Sequence, residues 1–455
     1  MQRDWLAGDH HIHSRYSVGW NRTTQPPEPI IGGEAVYPIP TNAHMAKQHG
    51  LAWMVATDHG GPNHSKINLE QAYPELERSR REVSDVIQFY GLEFNTPGAD
   101  HSSVIMAHGP HESRQLHAIE RRFDTRETYP LDPERDAHQK MIEALSFMSD
   151  LSRAPVVIAN HPSRTASGLG VYGRDTPAEL RDWNDAAPRI AVGMAGAPGH
   201  QALAINSDGS LNSVGARGAY TRYPTMGGFD QMTARLGGFW DSMLGEGRRW
   251  WITANSDSHV NWREGGVDFW PGEYSKTYVF ARHTYADILA GIRNGRVFVT
   301  TGDLVSAANV SAETSYQDGG VASIGGTLNI ARGSDVLITI NIRDPDALNH
   351  HGDAPRVTRV DLIVGSITGP LTDRNADTNP TTRVERRFDA SHWIREGEYL
   401  TMITLLKNVQ KDLYLRVRGT NTQQLEPEVD PRGDDPWQDL WFYTNPIFLE
   451  VNDPR

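Results

Sequence analysis

The sequence has no cysteine among its 455 residues, so disulfide bonds, thiolate nucleophiles and cysteine-ligated metal sites are excluded. Any bound metal must therefore use nitrogen and oxygen ligands. No apolar run reaches the roughly 18 residues of a membrane-spanning helix. Basic residues are in deficit, because 44 Lys and Arg stand against 57 Asp and Glu and give a formal net charge of -13. Since a nucleic-acid groove needs a basic face, we expect a small-molecule substrate and no nucleic-acid polymer as partner.

Up to about residue 300, short apolar runs alternate with helical patterns, which predicts parallel strands joined by crossover helices in an α/β barrel. The strand candidates are residues 52–56, 86–90, 104–106, 156–159, 190–194 and 251–254. Two helix starts carry a signal in the sequence. Thr176-Pro177-Ala178-Glu179 is a predicted capping box, and Thr284-Tyr285-Ala286-Asp287 resembles another. We assign this domain to residues 1–303.

The pattern changes from about residue 304 onward, where apolar residues alternate with polar ones. Val336, Ile338, Ile340 and Ile342 are an example, and more short apolar segments follow without helical patterns between them. This predicts a smaller all-β sandwich in residues 304–455, which we expect to give support or to form homo-oligomer contacts. Residues 165–248 are rich in glycine and aromatic residues, and we expect long loops or an insertion over the barrel mouth.

Five separated segments place metal-binding residue types at or just after the end of an apolar strand. They are His11-Ile12-His13, Thr57-Asp58-His59, Gly91-Leu92-Glu93 followed by His101, Asn160-His161-Pro162, and Asp257-Ser258-His259. In an α/β barrel the carboxyl ends of the strands converge on one mouth, so we predict that these segments form one site. Each segment alone is more often a turn or a helix cap. The coincidence of all five favours a metal site.

These motifs, in this order, resemble those of the PHP (polymerase and histidinol phosphatase) superfamily of metal-dependent phosphoesterases. The resemblance spans about residues 8–260 and implies a distorted (β/α)7 barrel. Residues 284–302 and the β-rich tail with Thr444-Asn445-Pro446-Ile447 are similar to the carbaryl-hydrolase-like branch, which carries a C-terminal β-sandwich.

The resemblance implies two or three divalent cations, which would be manganese, zinc or iron. It places the first on His11, His13, Glu93 and Asp257. It places the second on Glu93, His101 and His161, and a third on His59 and His259. The family has a further Asp or His about five residues after its first motif, where this sequence has Val18. Either His10 or His64 then substitutes, or the site is binuclear.

Two cations that share a hydroxide would direct it at a phosphorus or a carbonyl carbon, so no protein nucleophile is needed. Arg15 and Arg164 are the candidate substrate-binding residues for the developing negative charge, although both also fit surface ion pairs. The candidates for protonating the leaving group are His64, His59 and a metal-bound water, and the sequence does not choose among them.

Three functions remain open at this point. The first is hydrolysis of a phosphate mono- or diester of a small organic molecule. The second uses the same metals on a carbamate, ester or amide, for which the aromatic residues Tyr172, Tyr220 and Trp240 would suit a neutral substrate. The third is a non-catalytic protein whose β-sandwich binds a surface. If an export signal was removed before Met1, a periplasmic or secreted location is favoured, and otherwise a cytoplasmic one.

Overall fold

The structure is a computed structural model that describes residues 2–314 and 320–452. Within these residues it has nine α-helices and twenty-two strands in three sheets. The prediction of an α/β protein is therefore confirmed at the level of a mixed α/β fold. None of the helices in the described part of the chain is long and apolar enough to cross a membrane.

The helices lie mainly in the first three hundred or so residues, as the sequence pattern predicts. They are α1 Ile39–Gln48, α2 His64–Ile67, α3 Tyr73–Glu82, α4 Glu112–Phe123, α5 His138–Ser149, α6 Pro177–Ala186, α7 Gln231–Ala234, α8 Phe239–Gly245 and α9 Tyr285–Arg293.

Strands occur along the whole described chain. The first eleven are β1 Asp4–Ile12, β2 Gly19–Asn21, β3 Glu28–Ile30, β4 Trp53–Ala56, β5 Ile87–Asn95, β6 His101–Ile105, β7 Val156–Ala159, β8 Ala191–Ala197, β9 Trp251–Ala254, β10 Ser275–Ala281 and β11 Val297–Thr301. The others are β12 Ala307–Glu313, β13 Val321–Ser323, β14 Thr327–Ala331, β15 Ser334–Arg343, β16 Arg359–Ser366, β17 Arg383–Phe388, β18 Ile394–Glu396, β19 Tyr399–Val409, β20 Leu413–Thr420, β21 Trp441–Thr444 and β22 Ile447–Asn452.

The largest sheet has fifteen strands and contains the strands that position the candidate site. Its order is β14-β22-β20-β21-β11-β10-β1-β4-β5-β6-β7-β8-β9, with β16 on β20 and β17 on β16. A parallel bridge between Ile12 and Ser258 joins the end of β1 to the chain after β9. The series β1-β4-β5-β6-β7-β8-β9 contains seven strands. Through this bridge its first strand lies beside the segment that follows its last strand.

One strand of this series departs from the predicted parallel arrangement. β6 runs antiparallel to both β5 and β7. Only residues 96–100 separate β5 from β6, which is too short for a crossover helix, so the chain turns back as a hairpin. The hairpin places His101 opposite Asn95, at the same end of the sheet as Glu93.

The C-terminal strands form a second sheet and also extend the first one. The smaller sheet has the order β13-β12-β15-β19-β18. Its central strand β15 buries Val336, Ile338, Ile340 and Ile342, so the predicted alternation is confirmed. β11 pairs with β21, which makes the largest sheet continuous across the predicted boundary after residue 303.

The two predicted helix starts differ in detail. Thr176 begins α6 with a complete capping box, in which its hydroxyl accepts from the Glu179 amide and the Glu179 carboxylate accepts from the Thr176 amide. At α9 the Thr284 hydroxyl accepts from the Asp287 amide, but the Asp287 carboxylate binds Arg3. Residues 165–248 contain α6, β8, α7 and α8 as well as loops, and β8 is buried in the largest sheet.

Candidate metal centre

Strand ends supply most of the metal-binding side chains that the sequence analysis selected. His11 lies in β1 and His13 directly follows it, while His59 and His161 follow β4 and β7. The remaining ones are Glu93 in β5, His101 at the start of β6, and Asp257 and His259 after β9. The structure brings seven of these eight residues together in four overlapping groups, in which the ligand atoms of each group lie within 4.8 Å of one another. The eighth, His161, lies beside Glu93.

The first group contains the four residues predicted for the first cation, which are His11, His13, Glu93 and Asp257. His11 Nε2 lies 3.0 Å from Glu93 Oε1 and 3.2 Å from Asp257 Oδ1. His13 Nε2 lies 3.4 Å from Glu93 Oε2 and 3.2 Å from the same Asp257 oxygen. All four side chains are buried. Their nitrogen and oxygen atoms converge on one point, as the ligands of a divalent cation do.

Glu93 also belongs to the second group, together with His59 and His101. His101 Nδ1 lies 3.0 Å from Glu93 Oε1, and His59 Nδ1 lies 3.5 Å from Glu93 Oε2. His161, which was predicted for this position, contacts Glu93 Oε1 at 3.3 Å without joining a group. A carboxylate placed between two sets of histidines is suited to bridge two cations.

The third group adds His13 to the two predicted ligands His59 and His259. The rings of His13 and His259 stack with 3.8 Å between their centroids. Val18 does not contribute, since its apolar side chain is buried in the hydrophobic core.

His200 is a member of the fourth group that the sequence analysis did not select. It joins Asp257 and His259, and its Nε2 lies 3.0 Å from Asp257 Oδ2. Its position three residues after the end of β8 is the same strand-end signal that identified the other ligands. The signal was available, but His200 stands alone in a Pro-Gly context with no second ligand type beside it.

Glu34 was also missed. Its Oε2 lies 3.2 Å from His59 Nε2, and 43% of its side chain is exposed, so it lies at the rim of the cluster. It belongs to the connection between β3 and α1 and not to a strand end. No spacing rule could have identified it.

Hydrogen bonds from neighbouring residues orient the cluster. Asn160 donates to Glu93 Oε1 at 3.2 Å, and its own side-chain oxygen accepts from Ser103. The Ser17 hydroxyl bonds His13 Nδ1 at 2.7 Å, which leaves Nε2 of that ring directed at the carboxylates. Such outer contacts fix the tautomer and direction of metal ligands.

Both carboxylates of the first group are held in the ionised form. Burial raises the pKa of Glu93, but His101 and His11 outweigh it and keep this pKa well below its ordinary value. Burial also raises the pKa of Asp257, but the neighbouring His11 and His200 outweigh burial and keep this pKa well below its ordinary value. Ionised carboxylates are the form that binds cations.

Two of the histidines are held neutral. Burial and the neighbouring His259 lower the pKa of His13 well below its ordinary value. Burial and Arg164 lower the pKa of His161 to about 4. A neutral imidazole has a free lone pair, which a metal ligand needs.

The structure does not bring His10 or His64 into the cluster. His10 bonds Ser103 and Thr253 through its two ring nitrogens. His64 Nδ1 lies 2.5 Å from Glu120, and its Nε2 donates to the Tyr16 carbonyl oxygen at 2.7 Å. Neither ring has a nitrogen left for a metal or a substrate.

The two candidate substrate-binding arginines lie in different places. Arg15 donates to Glu75 at 2.8 Å, on helix α3 and outside the cluster. Arg164 lies at the edge of the cluster, with Nη2 3.6 Å from Asp100 Oδ1 and Nη1 3.9 Å from Asp257 Oδ2. Of these two cations, only Arg164 is positioned to meet a substrate at the metal-binding groups.

The chemistry of the donor set fits divalent cations. Among the described residues, several buried cluster atoms make no hydrogen bond, namely His11 Nδ1, His59 Nδ1, His59 Nε2, His101 Nδ1, His161 Nδ1 and Asp257 Oδ1. Buried polar atoms normally have partners, so this concentration of unpartnered nitrogen and oxygen atoms fits a site that could hold a metal ion. No model of a known protein family matches the sequence, and no curated protein matches it significantly.

Proposed function

We propose that the chain is a metal-dependent hydrolase of the PHP superfamily that cleaves a phosphate mono- or diester of a small molecule. The observation that carries this proposal is that Glu93 belongs to two groups of candidate ligands. One group contains His11, His13 and Asp257, and the other contains His59 and His101. A series of seven strands whose ends meet through Ile12 and Ser258 supports a distorted (β/α)7 barrel around them.

Divalent cations bound to these groups would supply Lewis acidity and lower the pKa of water towards neutrality. The residues of the chain then have separate tasks. Glu93 and Asp257 balance the positive charge of the cations, and Asn160 keeps Glu93 in place. Arg164 lies where it can bind the negative charge of a substrate beside Asp257.

The surroundings of the cluster favour an anionic substrate over a neutral carbamate. Arg164 is 24% exposed at the edge of the cluster. The aromatic residues that would serve a neutral substrate are engaged elsewhere. Tyr220 and Trp240 are buried, with the Tyr220 hydroxyl on Asp230, and the Tyr172 hydroxyl donates to Asp377.

The test is reconstitution of metal-stripped protein with manganese, zinc or iron, followed by assays of nitrophenol release. The substrates are p-nitrophenyl phosphate, bis-p-nitrophenyl phosphate and a neutral p-nitrophenyl ester. We expect metal-dependent release from one of the phosphate esters that is lost in Asp257→Asn. His392→Ala is the matched control, since it removes an exposed His–Asp contact far from the cluster in sequence.

Each other outcome has a defined meaning. Metal-dependent turnover of the neutral ester alone would replace the phosphoesterase with the carbamate, ester or amide hydrolase. Bound metal without turnover of any of the three would contradict the phosphoesterase proposal. Absence of metal binding would overturn the enzyme and favour a non-catalytic binding protein.

A further inference from the structure

His200 is oriented as a metal ligand. It lies in the loop after β8, and its ring is wedged between two buried carboxylates. Nδ1 donates to Asp268 in a very short contact, and Nε2 lies 3.0 Å from Asp257 Oδ2. His13 has the same arrangement, with Nδ1 on Ser17 and Nε2 towards the carboxylates. A carboxylate on one imidazole nitrogen commonly orients the other towards a metal.

Asp268 is fixed independently of the histidine that it contacts. Its carboxylate is buried, and Oδ2 accepts the backbone amides of His259 at 2.7 Å and Val260 at 3.1 Å. One carboxylate therefore fixes both the ring of His200 and the backbone that carries His259. Asp268 thereby fixes the position of His200 relative to His259, the two histidines of the fourth group.

Asp257 directs one carboxylate oxygen at the first group and the other oxygen at His200. Oδ1 lies 3.2 Å from both His11 and His13, whereas Oδ2 faces His200. Asp257 can thus serve the first group through Oδ1 and a separate position through Oδ2. Of the two groups that contain His259, the one with His200 also contains a carboxylate to balance the charge of a cation.

We propose that His200, Asp257 and His259 form an additional metal site, with Asp268 as the residue that positions His200. This inference rests on the proposed function, because it shares Asp257 with the first group. Two imidazoles and a carboxylate suit manganese, zinc or iron. The site is partly accessible to solvent, since the side chains of His200 and His259 are 15% and 16% exposed.

The variant His200→Gly tests the proposal with little backbone strain. His200 has a φ of 54°, a left-handed conformation that glycine adopts readily. We expect the full-length variant, loaded with Mn2+ and dialysed, to bind one equivalent less than the wild-type protein. Free imidazole should restore that equivalent by filling the space of the deleted ring. In Co2+-loaded protein, the visible absorption spectrum should change in the variant and recover with imidazole.

Two more variants complete the experiment. Asp268→Asn keeps the ligand but weakens its orientation, so the affinity of the additional metal should fall about tenfold to a hundredfold. His392→Ala should match the wild-type protein in metal content and spectrum. His200→Asn, which also tolerates a left-handed backbone, replaces His200→Gly if circular dichroism shows that the glycine variant is unfolded.

The outcomes separate this inference from the proposed function. Wild-type metal content and an unchanged Co2+ spectrum in the His200 variant would overturn the additional site, while metal-dependent turnover of phosphate esters would leave the hydrolase standing. If the wild-type protein bound no metal at all, both the additional site and the proposed hydrolase would be overturned. Loss of one equivalent that imidazole restores would establish His200 as a ligand.

Discussion

At the scale of single residues, the two candidate substrate-binding arginines, Arg15 and Arg164, contact different partners. Arg15 and Arg164 each follow a histidine motif by two or three residues. Arg15 nevertheless points at Glu75 on α3, while Arg164 lies beside Asp100 and Asp257. Of the two, Arg164 is therefore the one whose guanidinium can meet a substrate at the candidate metal centre.

We predict that Arg164→Gln lowers kcat/KM for bis-p-nitrophenyl phosphate by about a hundredfold, because a cation near the developing charge is lost. The same change should leave the turnover of any neutral ester nearly unaltered. Steady-state kinetics with both substrates provide the measurement. Arg15→Gln is the matched control and should stay within about twofold of the wild-type protein, because Arg15 binds Glu75 and not the cluster. Equal losses in the two variants would contradict a direct role for Arg164.

His64 was one of the candidates for protonating the leaving group, but its contacts with Glu120 and Tyr16 indicate a role in stability. Burial lowers the pKa of His64, but the charge of Glu120 and the hydrogen bond to it outweigh burial and raise this pKa to about 9. A group with a raised pKa stabilises the fold below its unfolded pKa, near 6.5, and loses that contribution as the pH rises through its folded pKa.

The free energy of unfolding should therefore fall between about pH 6.5 and pH 9 by up to about 3 kcal/mol from this residue. Urea denaturation of the wild-type protein and of His64→Gln across this range provides the measurement. The variant lacks the titrating group, so the difference between the two proteins should shrink as the pH rises. A constant difference would show that His64 is not protonated in the folded protein.

At the scale of secondary structure, the sequence pattern at the start of α6 predicted its capping box, which depends only on residues close together in the chain. The Thr176 hydroxyl and the Glu179 carboxylate satisfy each other's amide groups at the start of α6, as the sequence predicts. We expect Thr176→Ala to lower the free energy of unfolding by about 1 kcal/mol, because it leaves the Glu179 amide without its acceptor. Urea denaturation measures this loss, and Thr176→Ser should recover most of it. A loss in Thr176→Ser equal to that in Thr176→Ala would contradict the capping interaction.

Non-local pairing accounts for what the sequence could not predict in the fold. Apolar runs predicted the strands β4, β7 and β9 closely, since burial on both faces leaves a clear pattern. The reversal of β6 depended on the short link at residues 96–100, and the apolar pattern does not encode strand direction. Similarly, the motifs identified seven members of the candidate metal-binding groups, but not His200, Glu34 in a connecting loop or Asp268 behind His200.

At the scale of the whole molecule, the two halves of the chain share one sheet and part of their hydrophobic cores. β11 pairs with β21, and Trp441 and Phe448 from the C-terminal half pack in the same cluster as Trp251. The last α-helix of the described residues, α9, ends at Arg293, shortly before the composition change near residue 304. That change in composition does not reveal that the C-terminal strands extend the sheet that holds the candidate site.

A buried ion pair also joins the halves. Asp241 on α8 accepts two hydrogen bonds from Arg416 on β20, at 2.9 Å and 2.8 Å, and a third from the Tyr414 hydroxyl. Both charged side chains are almost fully buried. A charge in this position needs its partner, because removal from water is costly for an unpaired ion.

We therefore expect Asp241→Ala to lower the free energy of unfolding by about 3–5 kcal/mol, since Arg416 keeps a buried and unpaired charge. The double variant Asp241→Leu with Arg416→Met removes both charges and should lose clearly less. Urea denaturation followed by tryptophan fluorescence and by circular dichroism gives the comparison. Because the sheet and the ion pair both cross the predicted boundary, the two signals should report a single transition. Two separate transitions, with only the second sensitive to Asp241→Ala, would instead show that the halves unfold independently.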